Sequence, residues 1–486
     1  MKKRLSHRMI HSGLWVLLTR AAQQAVGFLR IIVLARILAP EDFGLMGIAL
    51  LVMTALETFT QTGFQSALVQ RKGDIAGYLD AAWTMLVIRG LAIFAFLFLA
   101  APAAASFFGT PKAEAVIRVI GLSVVISAFS NIGIVVFQKE LDFKKLAGYH
   151  LSTAVADFVV AVGLAYLLKD AWALVFGLLS ASVVGCAVSY LIHPYRPGFD
   201  LDREKIRELF SFGKWVLGSS VLVYLVSQGD GLLVGKMLGV TALGFYQLAA
   251  KIANTPATEI VHIVSQVTLP AYSSLQDNNA RLRSAFIKVS GVTSVLSFGV
   301  AGMVGFLAPE LVELFLGAKW RPVIPLLQVL AGAGLLRALS ANSGYVFYAV
   351  GKPGIDTRLQ FIRFAALILL LYPLTAAAGI LGTSLAVFFS VLIAYIGYYA
   401  KTLEVVGCSF LGLGRIVFVP LLAASFMGCG LFVLKLYFTA TLYGVAVLVL
   451  SGTVFYLAAV FALDVLFNSR RLGAAFLETF AAVRPA

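Results

Sequence analysis

The chain of 486 residues is 60% hydrophobic and only 13% charged, with a mean hydropathy of +0.94; soluble proteins average about 45–50% apolar and about 25% charged residues. This composition excludes a soluble enzyme or carrier and marks an integral membrane protein. The formal net charge of +15, from 38 Lys and Arg against 23 Asp and Glu, reads first as loop topology; a nucleic-acid surface is not expected.

At the N-terminus, MKKRLSHRMIHSG has the basic flank of a signal peptide. Arg20, Gln23, Gln24 and Arg30 interrupt the apolar stretch that should follow, and no small-residue cleavage site appears. The segment therefore reads as a retained first helix. Hydropathy places fourteen spans at approximately 10–38, 43–66, 81–107, 115–137, 149–168, 172–192, 213–238, 242–269, 284–308, 322–348, 358–376, 380–402, 413–435 and 442–467. Uncharged runs such as 91–108 and 444–463 each suffice for a bilayer-crossing helix of roughly 20 residues. No alternating barrel pattern appears, so the fold class is all-α. Twelve spans remain possible if two weak segments merge.

With the N-terminus inside, 24 basic residues fall in inward loops and tails, among them Arg71, Lys72, Lys139, Lys144, Lys145, Arg196, Lys352, Lys401, Arg470, Arg471 and Arg484. Only Lys112, Lys169, Lys236, Lys319, Arg321 and Lys435 fall outside. The bias fits fourteen spans with both termini cytoplasmic. Outward loops are short, the longest being 308–321, and the largest inward loop, HPYRPGFDLDREKIRELF at 193–210, reads as an inter-lobe linker with a short charged helix.

A shift of 200 residues aligns the chain with itself. GLWVL at 13–17 falls on GKWVL at 213–217, and ARILAPEDFG at 35–44 on GKMLGVTALG at 235–244. With small gaps, Phe107-Phe108-Gly109 matches Phe315-Leu316-Gly317, and Asn131 with Gly133 matches Asn342 with Gly344. A duplication of six-span lobes follows, parallel because six is even. The expected domains are 1–193 (spans 1–6), 194–210 (linker), 211–402 (spans 7–12) and 403–486 (spans 13–14 and a cytoplasmic tail).

Charges inside spans cost about 2.5–3.5 kcal/mol each even on lenient scales, and so face a bundle interior or water. On span 1, Arg20, Gln23, Gln24 and Arg30 share about a third of the circumference. On span 8, Lys251, Asn254, Thr255, Thr258, Glu259, His262, Ser265 and Gln266 share one face, while Ile252, Pro256, Ile260 and Ile263 take the other. Span 2, its repeat mate, carries Thr54, Glu57, Thr58, Gln61 and Gln65. Hydrogen bonding between helices accounts for many neutral residues of this kind. It accounts poorly for Arg20, Arg30, Arg89, Arg118, Lys251, Arg337 and Arg363, which outnumber the buried acids Glu57, Asp157, Asp230 and Glu259. Arg89, Arg118 and Arg363 sit near span ends and are candidates for snorkelling. The cationic excess suits a polyanion such as a diphosphate. Arg20, Gln23, Gln24, Arg30, Lys251, Asn254, His262 and Arg337 are the substrate-binding candidates, and the four acids are the ion-coupling candidates. Pro256 removes a hydrogen bond from span 8, and a kink is expected there. GLLVGKM at 231–237 is one residue short of a phosphate-binding loop and has Met237 in place of Ser or Thr. Five His and three Cys (Cys186, Cys408, Cys429) form no metal-ligand spacing and no disulfide framework; no cofactor is expected.

Several stretches together resemble the polysaccharide transporter branch of the multidrug/oligosaccharidyl-lipid/polysaccharide (MOP) flippase superfamily, the Wzx-type flippases, particularly members resembling the colanic-acid exporter. They are ARILAPEDFG (35–44), TGFQSALVQ (62–70), FQKELDFKK (137–145), SFGKWVLGSS (211–220), GDGLLVGKMLGVTALGFYQLAAKIANTP (229–256) and LPAYSSLQDN (269–278). The resemblance implies two six-helix lobes in an inverted V plus two C-terminal helices. It further implies translocation of undecaprenyl-diphosphate-linked oligosaccharide repeat units across a bacterial inner membrane, for exopolysaccharide, capsule or O-antigen synthesis. Membrane lipids, a polysaccharide polymerase and glycosyltransferases are the implied partners, and no reaction is catalysed. A drug or cation antiporter of the same superfamily is the rival reading, although cationic substrates favour acidic lobes. A membrane polymerase would need a sizeable outward loop.

Overall fold

The computed structural model describes residues 2–61, 68, 75–140, 142–438 and 440–466, and every regular element among them is a helix. In chain order we label α1 (Lys2–Ile37), α2 (Pro40–Phe59), α3 (Ala76–Phe107), α4 (Lys112–Ala128), α5 (Phe143–Leu168) and α6 (Trp172–Ile192). A 72-residue run follows, Arg203–Ser274, which at 1.5 Å per residue would far overshoot a bilayer. It breaks at Gly239, with φ 85° and ψ −179°, a left-handed value open to glycine and costly for other residues. Its arms are α7 (203–238) and α8 (240–274). Next come α9 (Asn279–Phe306) and α10 (Val323–Ala349). The 54-residue run Pro353–Val406 likewise breaks at Ala378 and Gly379 into α11 (353–377) and α12 (380–406). Last are α13 (Phe410–Leu434) and α14 (Leu442–Leu466).

Eleven described helices are long and apolar enough to cross a membrane. Two of them are the broken pairs, and α4, at 17 residues, completes the fourteen expected spans. Several boundaries differ from the hydropathy reading: α1 begins at Lys2, α2 ends at Phe59, before Gln61, and α5 begins at Phe143; at two others the cause is visible. Span 4 stops at Ala128, because Asn131 turns the chain before a short helix Ile134–Lys139. Span 7 begins at Arg203 because the charged helix of the expected linker runs unbroken into the membrane arm. The inward charges Arg71, Lys72, Arg470, Arg471 and Arg484 lie outside the described residues, as do the side chains at 2–14 and 205–222 and those of Gln65 and Gln266.

Contacts divide the chain between Gly244 and Phe245, beyond the loop where the sequence places its linker. In the first unit, α1 packs on α5, α5 on α6, α3 on α4, and α4 on both α2 and α6. The arm α7 belongs to this unit: the Tyr224 hydroxyl donates to the Leu51 carbonyl at 2.7 Å, and Gly235 lies against the Phe108 ring. In the second unit, α10 packs on the Pro353–Val406 pair, α13 on α14, and α9 on both α10 and α13. Its core gathers Val295, Phe298, Met427, Leu431 and Leu448.

Positions matched by the 200-residue shift with small gaps share backbone roles. Gly109 and Gly317 both have positive φ, 63° and 97°, and Asn131 and Asn342 are both buried, at 1% and 2% exposure. The corner between α1 and α2 meets the corner between α7 and α8 reciprocally. A Cβ on Gly44 would come within 1.8 Å of the Val240 carbonyl oxygen, and one on Gly244 within 2.0 Å of the Pro40 carbonyl oxygen. Pro40 and Val240 are themselves repeat mates, so the contact maps onto itself under the 200-residue shift.

Candidate functional site

On α8 the expected stripe is present. Lys251, Thr258 and His262 are exposed and Asn254, Thr255, Glu259 and Ser265 half-buried, while Ala253, Pro256, Ala257 and Ile260 turn into an apolar crevice against Ser297, Val300 and Ala301 of α9 and Ala331 and Leu335 of α10. Pro256 leaves the backbone helical; within this run the non-helical dihedrals are at Gly239. A lysine and a histidine exposed on a membrane-spanning arm would be expensive against lipid, and residues of this kind face a bundle interior or a water-filled cavity. Arg337 of α10 reaches it: its Nη1 donates to Asn254 Oδ1 at 2.8 Å. Two substrate-binding candidates are thus joined. Lys251 has no ion-pair partner among the described residues, which leaves its ammonium available to an anion.

In the first unit, α1 and α5 form a second polar seam. Gln23 Nε2 lies 3.5 Å from the His150 carbonyl oxygen, and one helical stretch further along, Arg30 Nη2 stands 2.9 Å from Asp157 Oδ1, both side chains about one-fifth exposed. Small neighbours make room, since Gly177 of α6 sits directly over the Asp157 carboxylate. One anion-binding candidate is therefore neutralised by one coupling candidate, and the seam carries less net charge than a residue count suggests. Arg20 and Gln24 are half-buried and engaged by neighbouring groups. Glu57, Asp230 and Glu259 are half-buried, and Asp230 Oδ1 accepts from the Gly231 N–H at 2.7 Å.

Two of the end-of-span arginines do more than snorkel. Arg89 Nη2 donates to the Glu57 carbonyl at 2.6 Å and its Nε to Thr60 Oγ1 at 3.0 Å, closing the C-terminal turn of α2, where unpaired carbonyls and the helix dipole favour a cation. Arg118 pairs with Glu114 at 2.9 Å and lies 4.6 Å from the Phe98 ring centroid. Sequence reasoning also missed a strap after α6. Asp80 accepts from the Tyr195 hydroxyl and the Gly198 N–H, each at 2.6 Å. Asn131 Nδ2 donates to the Tyr195 carbonyl at 2.6 Å, and the Asp200 N–H donates to Thr84 Oγ1 at 2.9 Å. An acid and a threonine in the first turns of a strongly apolar helix were the available signal.

The profile of the polysaccharide biosynthesis protein family matches residues 33–325, more than half of the chain. The chain belongs to the polysaccharide biosynthesis protein family. A Klebsiella pneumoniae relative, an uncharacterized membrane protein in the cps region, is 28% identical over 388 residues, covering 78% of this chain and 79% of its own. The Escherichia coli lipopolysaccharide biosynthesis protein WzxC is 24% identical over 413 residues, covering 84% and 83%. The Rhizobium meliloti succinoglycan biosynthesis transport protein ExoT is 26% identical over 355 residues, covering 72% and 71%. Among solved structures, a lipid II flippase MurJ in an inward closed conformation superposes with TM-score 0.75 at 13% identity, covering 95% of this chain and 99% of that one. An inward-facing MATE transporter of the MOP superfamily gives 0.63 at 16% identity, covering 79% and 95%. These likenesses establish the MOP fold for this family member, a multi-pass helical membrane protein, and the Wzx-type resemblance of its sequence holds.

Proposed function

We propose that this polysaccharide biosynthesis protein is a flippase that carries an undecaprenyl-diphosphate-linked oligosaccharide from the cytoplasmic to the outer leaflet of a bacterial inner membrane, by alternating access and without making or breaking a covalent bond. The observation that carries the proposal is the exposed Lys251 on the same helix face as the Arg337–Asn254 pair. A donor-only cationic group inside a membrane-spanning element needs an anion, and the planar fork of a guanidinium matches phosphate oxygens in bidentate geometry. The names borne by the relatives, a polysaccharide transport protein and a lipopolysaccharide biosynthesis protein among them, support the same class of substrate. An antiporter of cationic drugs would be served poorly by this wall. Both termini are assigned to the cytoplasm, and the polymerase and glycosyltransferases that use or make the repeat unit are the proposed partners. Arg20, Gln23, Gln24 and His262 remain proposed contacts. For energy coupling, Glu57, Asp157, Asp230 and Glu259 are the proposed carriers, Asp157 through its pairing with Arg30.

The test is a proteoliposome assay of leaflet-to-leaflet transfer of an undecaprenyl-diphosphate-linked oligosaccharide. Lys251→Ala and Arg337→Ala are each expected to slow transfer by about tenfold or more, the scale of one lost charge-assisted contact, with folded protein retained. Parental rates in both variants would overturn the proposal.

A further inference from the structure

The stripe on α8 carries two kinds of hydrogen-bonding group, side chains that can donate at Lys251 and His262 and hydroxyls at Thr255, Thr258 and Ser265. Lys251, Thr255, Thr258 and His262 lie at relative positions 0, 4, 7 and 11, which at about 100° per residue keeps them within roughly 60° of one another and strings them over about 16 Å of helix. Thr255 Oγ1 donates to the Lys251 carbonyl at 2.7 Å, and Thr258 Oγ1 to the Asn254 carbonyl at 2.8 Å. One turn beyond His262, Ser265 Oγ donates to the His262 carbonyl at 2.9 Å. A hydroxyl has a single proton. With that proton engaged by the helix's own backbone, each of these side chains offers only lone pairs to whatever lies in front of it. Lysine and arginine offer only protons.

A phosphate diester or diphosphate at neutral pH presents acceptors alone, and would find no donor on Thr255, Thr258 or Ser265 but several on Lys251 and Arg337. A carbohydrate presents hydroxyls that must donate somewhere when they leave water, and back-bonded threonines meet that need. We infer that Thr255, Thr258 and Ser265 form a glycan subsite distinct from the phosphate subsite at Lys251 and Arg337, an acceptor rail for sugar hydroxyls running along α8 from the basic residues. The inference rests on the flippase reading and adds where along the helix each part of the substrate is recognised. It also assigns the apolar side of α8 a role: Ala253, Pro256, Ala257 and Ile260, packed toward α9 and α10, fix the rotation of the helix that aims the rail.

The experiment titrates purified protein in nanodiscs with two probes, undecaprenyl diphosphate and an undecaprenyl-diphosphate-linked oligosaccharide, and reads the ratio of their affinities. Thr255→Val with Thr258→Val keeps the β-branched shape and removes both acceptors; Thr255→Ser with Thr258→Ser keeps a hydroxyl able to bond back to the same carbonyls. The valine pair is expected to reduce the preference for the glycan-bearing lipid by about tenfold, the scale of two lost hydrogen bonds, and the serine pair to stay within about twofold of the parent. Should the double valine variant fail to fold, Thr258→Val alone, at the exposed position, is expected to show about a threefold loss. An unchanged ratio in folded valine variants overturns the rail while leaving the flippase reading intact. A parent that binds neither lipid overturns both.

Discussion

Asp80 shows how much one carboxylate can organise. It holds the strap through the Tyr195 hydroxyl and the Gly198 N–H, while Trp83, one turn along α3, packs edge-on against Phe199. Asp80→Ala removes both hydrogen bonds, the half-buried Tyr195 hydroxyl losing its acceptor while the exposed Gly198 N–H turns to water, and should lower stability by about 1 kcal/mol, visible as a lower Tm and faster protease cutting between residues 193 and 203. The same strap carries a titration. His193 Nδ1 accepts from the Tyr195 N–H at 3.1 Å, and its ring lies edge-on to Phe137. Burial lowers its pKa below the ordinary 6.5, with Lys145 and Arg196 adding to the effect and Glu140 opposing it. The folded state thus prefers the neutral ring. Its contribution is complete above about pH 6.5 and is lost as pH falls from there through the lower folded value, because the unfolded chain then binds more protons. The measurement is Tm against pH from 7.5 to 5: the parent should lose stability on acidification, and His193→Gln should flatten that part of the slope. A parallel slope in the variant would remove His193 from the account.

Helix elements follow directly from hydropathy, and so do the breaks at Gly239 and Gly379, since runs of 72 and 54 residues cannot cross a bilayer as single rods. What hydropathy could not show is where side chains from distant segments end an element. Asn131 ends α4 because its amide is committed to the carbonyl of Tyr195, 64 positions away, and Arg337 finds Asn254 across 83 positions. The polar stripe of α8 was legible from its period; the direction in which its hydroxyls donate was not, because that depends on rotamers. Gly44 and Gly244 are the element-scale counterpart. Alanine at either would drive a methyl group into a backbone carbonyl, and the two substitutions should each cost about 1–3 kcal/mol or more as overpacking, by similar amounts because the contact is reciprocal. Gly27→Ala, where a Cβ meets nothing within 4 Å, is the matched control and should be neutral or slightly stabilising. Tm values that do not separate these variants would refute the close approach.

Across the whole chain, fourteen spans with both termini inside make a directional claim. After Cys186, Cys408 and Cys429 are replaced by Ser, Asp277→Cys, exposed between α8 and α9, should react with an impermeant maleimide only from the cytoplasmic side, and Ala318→Cys, exposed between α9 and α10, only from the opposite side. Labelling from the same side would break the alternation on which the parallel duplication depends. The contact between the two corners at Gly44 and Gly244 has a further consequence for how such a chain could arise. In a half-length protein pairing with its own copy, one glycine would occupy both places, and every mutation there would be felt twice. Fusion of the halves ends that constraint, so that the two sites can diverge one at a time. That both positions carry glycine is what a shared backbone clearance demands of each partner independently, since each faces the carbonyl group of the residue at position 240 or 40.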